Sequence, residues 1–193
     1  MRLLSVNVGL PREVLWRGRA VATGIWKAPV AGPVVLRTTN LDGDRQADLS
    51  VHGGPRKAVY VYPSEHYAHW RAELPEADLA VWGAFGENFT TTGLLEEEVA
   101  IGDRFRVGTA EVQVTQPRMP CFKLGIKLGD PGMVERFLRS GRPGFYLSVL
   151  REGVVEVGDA FEPLGPKDGG PTIAQVFRAK IRAALQEEPP SPR

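Results

Sequence analysis

Internal disulfides are excluded from this chain, because Cys121 is its only cysteine. That sulfur is therefore either a small buried hydrophobe or a reactive thiol. No apolar run approaches the roughly 18 residues that a membrane-spanning helix requires. The start, Met1-Arg2-Leu3-Leu4-Ser5-Val6-Asn7-Val8, lacks the apolar block and cleavage site of a secretory signal. An excess of either charge is missing too. Lys and Arg number 24 against 23 Asp and Glu, a formal net charge of +1, so no global field draws the chain to nucleic acid or to a membrane surface. The phosphate-loop spacing G-x-x-x-x-G-K-[ST] does not occur, which leaves nucleotide hydrolysis of that kind without support. What these absences leave is a cytoplasmic protein with a small or locally charged ligand.

A hydrophobic content of 42% over 193 residues supplies one sizeable core. Most of the pattern is β. Leu3 to Val8 and Val34 to Leu36 are short apolar runs bounded by turn residues, and Val59-Tyr60-Val61-Tyr62 stops at Pro63. Phe105-Arg106-Val107, Gly108-Thr109 and Ala110 to Thr115 read as a hairpin with Phe105, Val107, Val112 and Val114 on one face. Val99 to Phe105 and Val155 to Phe161 share an apolar-Gly-Asp-x-Phe pattern that suggests one turn built twice. Helices are expected from Ser64 to Leu74, from Asp130-Pro131 to Gly141, and from Thr172 to Leu185, the last with Gln175 completing a capping box. On the first of these, His69 falls well away from the Tyr67/Trp70/Leu74 stripe and His66 sits at its margin, and both read as helix-surface residues. Short-turned strands with inserted helices predict a mainly β protein, a β-barrel with α additions. Residues 1–165 form the barrel domain, and 166–193 form a linker, a single helical appendage and a disordered tail.

Three stretches carry chemistry-bearing residues. Thr115-Gln116-Pro117-Arg118-Met119-Pro120-Cys121-Phe122-Lys123-Leu124 places the sulfur in a proline-framed loop between two cations, which would favour a thiolate. Burial as small-residue filler is the competing reading. Ala47 to Tyr60 holds His52-Gly53-Gly54-Pro55-Arg56-Lys57, either a phosphate cradle or a tight turn between strands. Gly83-Ala84-Phe85-Gly86-Glu87-Asn88-Phe89-Thr90-Thr91 sets polar groups beside glycines, as a ligand contact or a turn cap.

In this order, with Ile101-Gly102-Asp103 between the last stretch and the cysteine and with Thr23-Gly24-Ile25-Trp26-Lys27 and Asp42-Gly43-Asp44-Arg45-Gln46-Ala47-Asp48 upstream, these segments resemble the MOSC domain family and its YiiM-like branch, over residues 1–165. The resemblance implies a β-barrel, a molybdenum cofactor held by a pterin dithiolene (molybdopterin), and Cys121 as the protein ligand to the metal. It further implies reduction of N-hydroxylated compounds (hydroxylamines, N-hydroxylated bases) with electrons from a separate reductase. Gly53, Gly54, Lys57, Glu87, Asn88 and Arg118 are then the candidate cofactor-binding residues. His52 is the candidate proton donor, with a turn-stabilising hydrogen bond as its alternative. Two alternatives share the same residues: a sulfur carrier taking a persulfide on Cys121 from a pyridoxal-phosphate enzyme, and a cofactor-binding module without turnover. The sequence departs from the family pattern at Arg56, where Asp is usual, and in offering one C-terminal helix where the branch commonly has three.

Overall fold

The computed structural model describes residues 1–47, 53–165 and 169–187, except the side chains of 185–187. In chain order the described residues form β1 (Arg2–Val8), β2 (Arg12–Trp16), β3 (Arg19–Thr23), β4 (Ala28–Pro29), β5 (Val34–Leu36), β6 (Val59–Pro63), α1 (Glu65–Glu73), β7 (Phe89–Thr92), β8 (Arg104–Val107), β9 (Ala110–Pro117), α2 (Phe122–Leu128), α3 (Met133–Ser140), β10 (Phe145–Arg151), β11 (Gly153–Val155), β12 (Phe161–Pro163) and α4 (Ile173–Glu187). Among them no helix is long and apolar enough to cross a membrane.

Eight strands make one sheet in the order β12-β8-β9-β10-β6-β7-β1-β4, and β5/β11 and β2/β3 form two small ribbons. The expected barrel does not close. The turn before β12, one edge strand, reaches β1, next to the other edge, through Leu3 N to Asp159 O (2.9 Å), Gly158 N to Leu3 O (2.8 Å) and an isolated bridge between Arg2 and Ala160. A continuous ladder does not form there, because Gly158 at φ 99° and Asp159 belong to a tight turn, whose backbone groups cannot all point along a strand.

The hairpin β8/β9 pairs Phe105 with Val112 and Val107 with Ala110 across the two-residue turn, with Gly108 at φ 55°. All four apolar residues of the expected face are buried. The repeated apolar-Gly-Asp-x-Phe pattern is indeed one turn built twice. Asp103 Oδ2 accepts from Ala100 N (2.9 Å) and Asp159 Oδ2 accepts from Glu156 N (2.8 Å). The strands that follow, β8 and β12, pair with each other.

Central β6 separates two cores by its period of two. Val59 and Val61 enter the main apolar core with Leu3, Val112 and Leu147, whereas Tyr60 and Tyr62 face an aromatic cluster with Tyr67, Trp70, Phe85 and Phe137 beneath α1 and α3. His66 belongs to the buried side of α1, contrary to the surface position expected for it. Its Nε2 lies 2.8 Å from Glu96 Oε2, and both residues are buried. The apolar stripe alone cannot show this, because the partner sits 30 residues away. The helix expected from Asp130-Pro131 starts later, at Met133, since Asp130 Oδ1 is occupied in a turn with Gly132 N (2.8 Å). The capping box of α4 forms, Thr172 N donating to Gln175 Oε1 (2.9 Å) and Gln175 N to Thr172 Oγ1 (3.2 Å). That helix is less of an appendage than expected, for Ile173 and Phe177 are fully buried and Ile173 joins the main core.

Candidate functional site

β9 runs two residues further than the sequence suggests, to Pro117, which pairs with Phe145 of β10. Arg118, Met119 and Pro120 then turn the chain, and Cys121 becomes the N-cap of α2, with φ −127° and ψ 167°. No helix is expected at this point from the sequence, because two prolines and Gly125 lie within nine residues. Tertiary packing explains the glycine. A Cβ on Gly125 would stand 2.6 Å from the carbonyl oxygen of Asp130, so the turn after α2 closes only over a glycine.

Cys121 faces a cleft of about 690 Å³, counting its open mouth. Gly53, Lys57, Asn88 and Arg118 line it as well, so five of the eight residues singled out in the sequence share one cavity. Gly54 is not on its walls; at φ 80° it serves as N-cap of the 3₁₀ turn Pro55–Lys57. Glu87 lies behind the wall, fully buried. Its carboxylate accepts hydrogen bonds from Gly83 N (2.8 Å), Phe85 N (3.0 Å), Thr90 Oγ1 (3.0 Å) and Tyr67 Oη. Asn88 also ties backbone together. Its Oδ1 accepts from Tyr60 N (3.1 Å) while Nδ2 donates to Asp44 Oδ2 (3.0 Å) and Asn7 O (3.3 Å). His52 lies outside the described residues. Arg56 is exposed, and its carbonyl accepts a hydrogen bond from Thr115 Oγ1 at 2.6 Å.

Arg118 is the unusual wall residue. It is 5% exposed, its guanidinium lies 4.9 Å from the Tyr60 ring centroid and 5.1 Å from that of Phe137, and Nη1 reaches Tyr60 Oη at 3.4 Å. Among the described residues no carboxylate pairs with it. A guanidinium keeps its charge at any physiological pH, and burying that charge without an anion is costly. Aromatic faces offset part of this cost.

The loops holding Thr23 to Lys27 and Arg45 to Ala47 line the cleft too, and in the sequence they stand out only as segments that match the family. Gly24 lets them meet, since a Cβ there would stand 2.5 Å from Arg45 O. Lys27 Nζ bonds the fully buried Asp44. The signal for that pair is faint in sequence, a lysine and an aspartate in two separate glycine-containing turns.

Lys127 fastens α2 to both neighbouring loops, its Nζ donating to Ile25 O (3.1 Å) and to Gly83 O. Burial above all lowers its pKa from the ordinary 10.5 to about 8, with Lys27 and Arg118 adding to the effect and Glu87 opposing it. Between these values the unfolded chain binds the proton that the folded chain has released, so Lys127 adds stability as pH rises and carries its full cost below about pH 8. Compared with Lys127→Met, the wild type should gain roughly 1 kcal/mol per pH unit from pH 8 to 10 in urea unfolding. A difference that stays flat with pH would refute the assignment.

Cleft, sulfur and cationic wall together sit in a known kind of domain. The MOSC domain model matches residues 48–162, and the chain belongs to that family. Within it the chain is YiiM-like. It superposes on the crystal structure of YiiM from Geobacillus stearothermophilus with a TM-score of 0.76 and 35% identity, covering 97% of this chain and 86% of that one. It is 47% identical over 182 residues to the uncharacterized protein YflK of Bacillus subtilis (strain 168), covering 94% of this chain and 81% of YflK. A protein named "Reductase" from Gibberella moniliformis is 39% identical over 183 residues, 92% of this chain, but this chain spans only 32% of its length.

Proposed function

We propose that this protein reduces N-hydroxylated compounds with a molybdenum cofactor seated in the cleft. The observation that carries the reading is a buried Arg118, paired with no carboxylate among the described residues, lining the same cleft as the chain's only cysteine. The donor set fits the group. Among the described residues no three His, Cys, Asp or Glu gather to hold a metal, and the cleft lining contains no acid. A metal bound there must bring most of its own ligands, and a single cysteine sulfur suits a soft, sulfur-ligated centre.

When bound, the cofactor supplies two electrons through its molybdenum and leaves the protein to bind, orient and deliver protons. Cys121 would ligate the metal. Arg118, Lys57 and the Gly53 backbone would hold the cofactor's anionic and hydrogen-bonding groups. Asn88 and Glu87 fix the strands and loop that shape the floor, so their part is positioning. The reaction, R–NHOH plus two electrons and two protons giving R–NH₂ and water, draws its electrons from a separate reductase. We assign the activity to residues 1–165 and place the protein in the cytoplasm, where that reductant would be found.

The test is metal content and turnover of protein made in a host competent for cofactor synthesis. Molybdenum in the purified protein and reduction of an N-hydroxylated amine under a chemical reductant are expected. Protein with neither sinks the reading. One added sulfur on Cys121 after incubation with a pyridoxal-phosphate desulfurase, in the absence of molybdenum, would point to sulfur transfer, and molybdenum without turnover to a binding module.

A further inference from the structure

Two protons enter each turnover proposed above, and the described cleft residues differ sharply in their ability to give one. Arg45 and Arg118 retain theirs. Lys57 and Lys123 also line the cleft, Lys57 being assigned above to holding the cofactor. Burial pushes the hydroxyls of Tyr60 and Tyr146 up, away from proton release. Lys27 is built differently. Its side chain is 8% exposed, it lines the cleft, and its Nζ bonds Asp44 Oδ1. Asp44 is fully buried and held by two other donors, Gly9 N at 2.9 Å on Oδ1 and Asn88 Nδ2 at 3.0 Å on Oδ2. A carboxylate fixed in this way directs a lysine that would otherwise sample many rotamers.

Resting on the reading above, we infer that Lys27 is the general acid that protonates the departing oxygen, with Asp44 as the positioning residue that orients its ammonium. The N–O bond breaks as two electrons arrive from the reduced centre. The hydroxyl oxygen takes the proton from Lys27 Nζ and leaves as water, and the nitrogen takes the second proton from solvent. Lys27 is then reprotonated through the open mouth. Its surroundings suit a donor. Burial, the largest influence, lowers its pKa from the ordinary lysine value, with Asp44 and Glu87 opposing that shift, and a lowered pKa favours proton donation. The groups that act on it electrostatically come from three sides: Asp44 from the 42–47 loop, Glu87 from the 83–88 loop and Lys127 from α2, with Arg12 of β2 acting on Lys127 in turn.

Lys27→Arg and Lys27→Met in the molybdenum-loaded enzyme test this. Arginine keeps the positive charge but cannot release a proton, so it separates acid catalysis from simple anion holding. Both variants are expected to retain wild-type molybdenum; Lys27→Arg keeps Asp44 paired with a cation, whereas Lys27→Met leaves that carboxylate buried without one and should melt at a lower temperature. Their kcat should fall about 100-fold, and the basic limb of the wild-type pH profile should disappear. Turnover within about threefold of wild type in Lys27→Arg, or a limb that persists, overturns the assignment; a limb that persists there and vanishes in His52→Gln moves the acid to His52. Should both Lys27 variants fail to fold, acetylation of Lys27 against pH in the cofactor-free wild type decides. Its midpoint is expected to coincide with the basic limb of kcat, and a mismatch rejects the proposal. Wild-type protein without molybdenum or turnover would remove the parent reading as well, whereas an active wild type with an active Lys27→Arg removes only this inference.

Discussion

Cys121→Ser is expected to abolish reduction of N-hydroxylated substrates and to strip molybdenum from the protein, while leaving the fold intact or slightly more stable. The loss follows from ligand chemistry, because an un-ionised hydroxyl is a far poorer partner for a soft metal than a thiolate. Replacing even a residue that merely supports a metal ligand costs 10- to 100-fold, so loss of the ligand itself should cost on the order of 100-fold or more in metal retention and turnover. The stability side follows from position. Cys121 is the N-cap of α2 and its side chain makes no capping bond, whereas serine in the same extended conformation is among the preferred caps. A shift of less than about 1 kcal/mol, in the stabilising direction, is therefore expected. Melting temperature, molybdenum content and turnover measured on one preparation check it. A destabilised variant with full molybdenum and activity would make Cys121 packing filler and remove it from the mechanism.

Glu87→Ala should do the opposite, and its effect on stability should exceed that of Cys121→Ser several-fold. The carboxylate is fully buried and satisfies Gly83 N, Phe85 N, Tyr67 Oη and Thr90 Oγ1 together. Truncation leaves all four donors without an acceptor in a space too enclosed for easy relaxation. A buried donor left without its acceptor costs roughly 1 to 3 kcal/mol, so the four together should cost about 4 kcal/mol or more. For a chain of this size that corresponds to a fall in melting temperature on the order of 10 °C. Thermal unfolding of Glu87→Ala against wild type is the measurement. If the variant melts normally and loses only molybdenum, Glu87 is a direct cofactor contact, as its place in the sequence first suggested, and its hydrogen bonds are of little consequence to the fold.

Much of the protein is legible because the relevant physics is local. The β8/β9 hairpin is written in the alternation Phe105, Val107, Val112, Val114 and in Gly108, since side chains on a strand alternate faces and a two-residue turn needs positive φ. The cap of α4 is written in Thr172 and Gln175, three residues apart. The turns at Asp103 and Asp159 are written in one short pattern, because each aspartate needs only the N–H three residues before it. The ordered segments around Gly53, Asn88 and Cys121 carry the family.

What the sequence does not reveal depends on partners far along the chain. Glu87 stands among glycines like a turn or ligand residue, yet Tyr67, 20 positions earlier, helps to bury it. His66 looks exposed on its helix until Glu96 arrives from another loop. The Cys121 stretch reads as a loop, because the short α2 follows two prolines and contains Gly125, whose necessity comes from Asp130 packing above it. Lys27 and Asp44 belong to separate turns, and only the approach of two loops at Gly24 brings them together on the cleft. Strand periodicity, turns and caps were therefore set by the sequence itself, whereas sheet closure, the start of α2, and the division of the polar residues into cleft wall and buried brace were decided only by tertiary structure. The physical reason is that a side chain's environment depends on which distant backbone and side-chain groups pack against it, and the chain order of the residues does not carry that information.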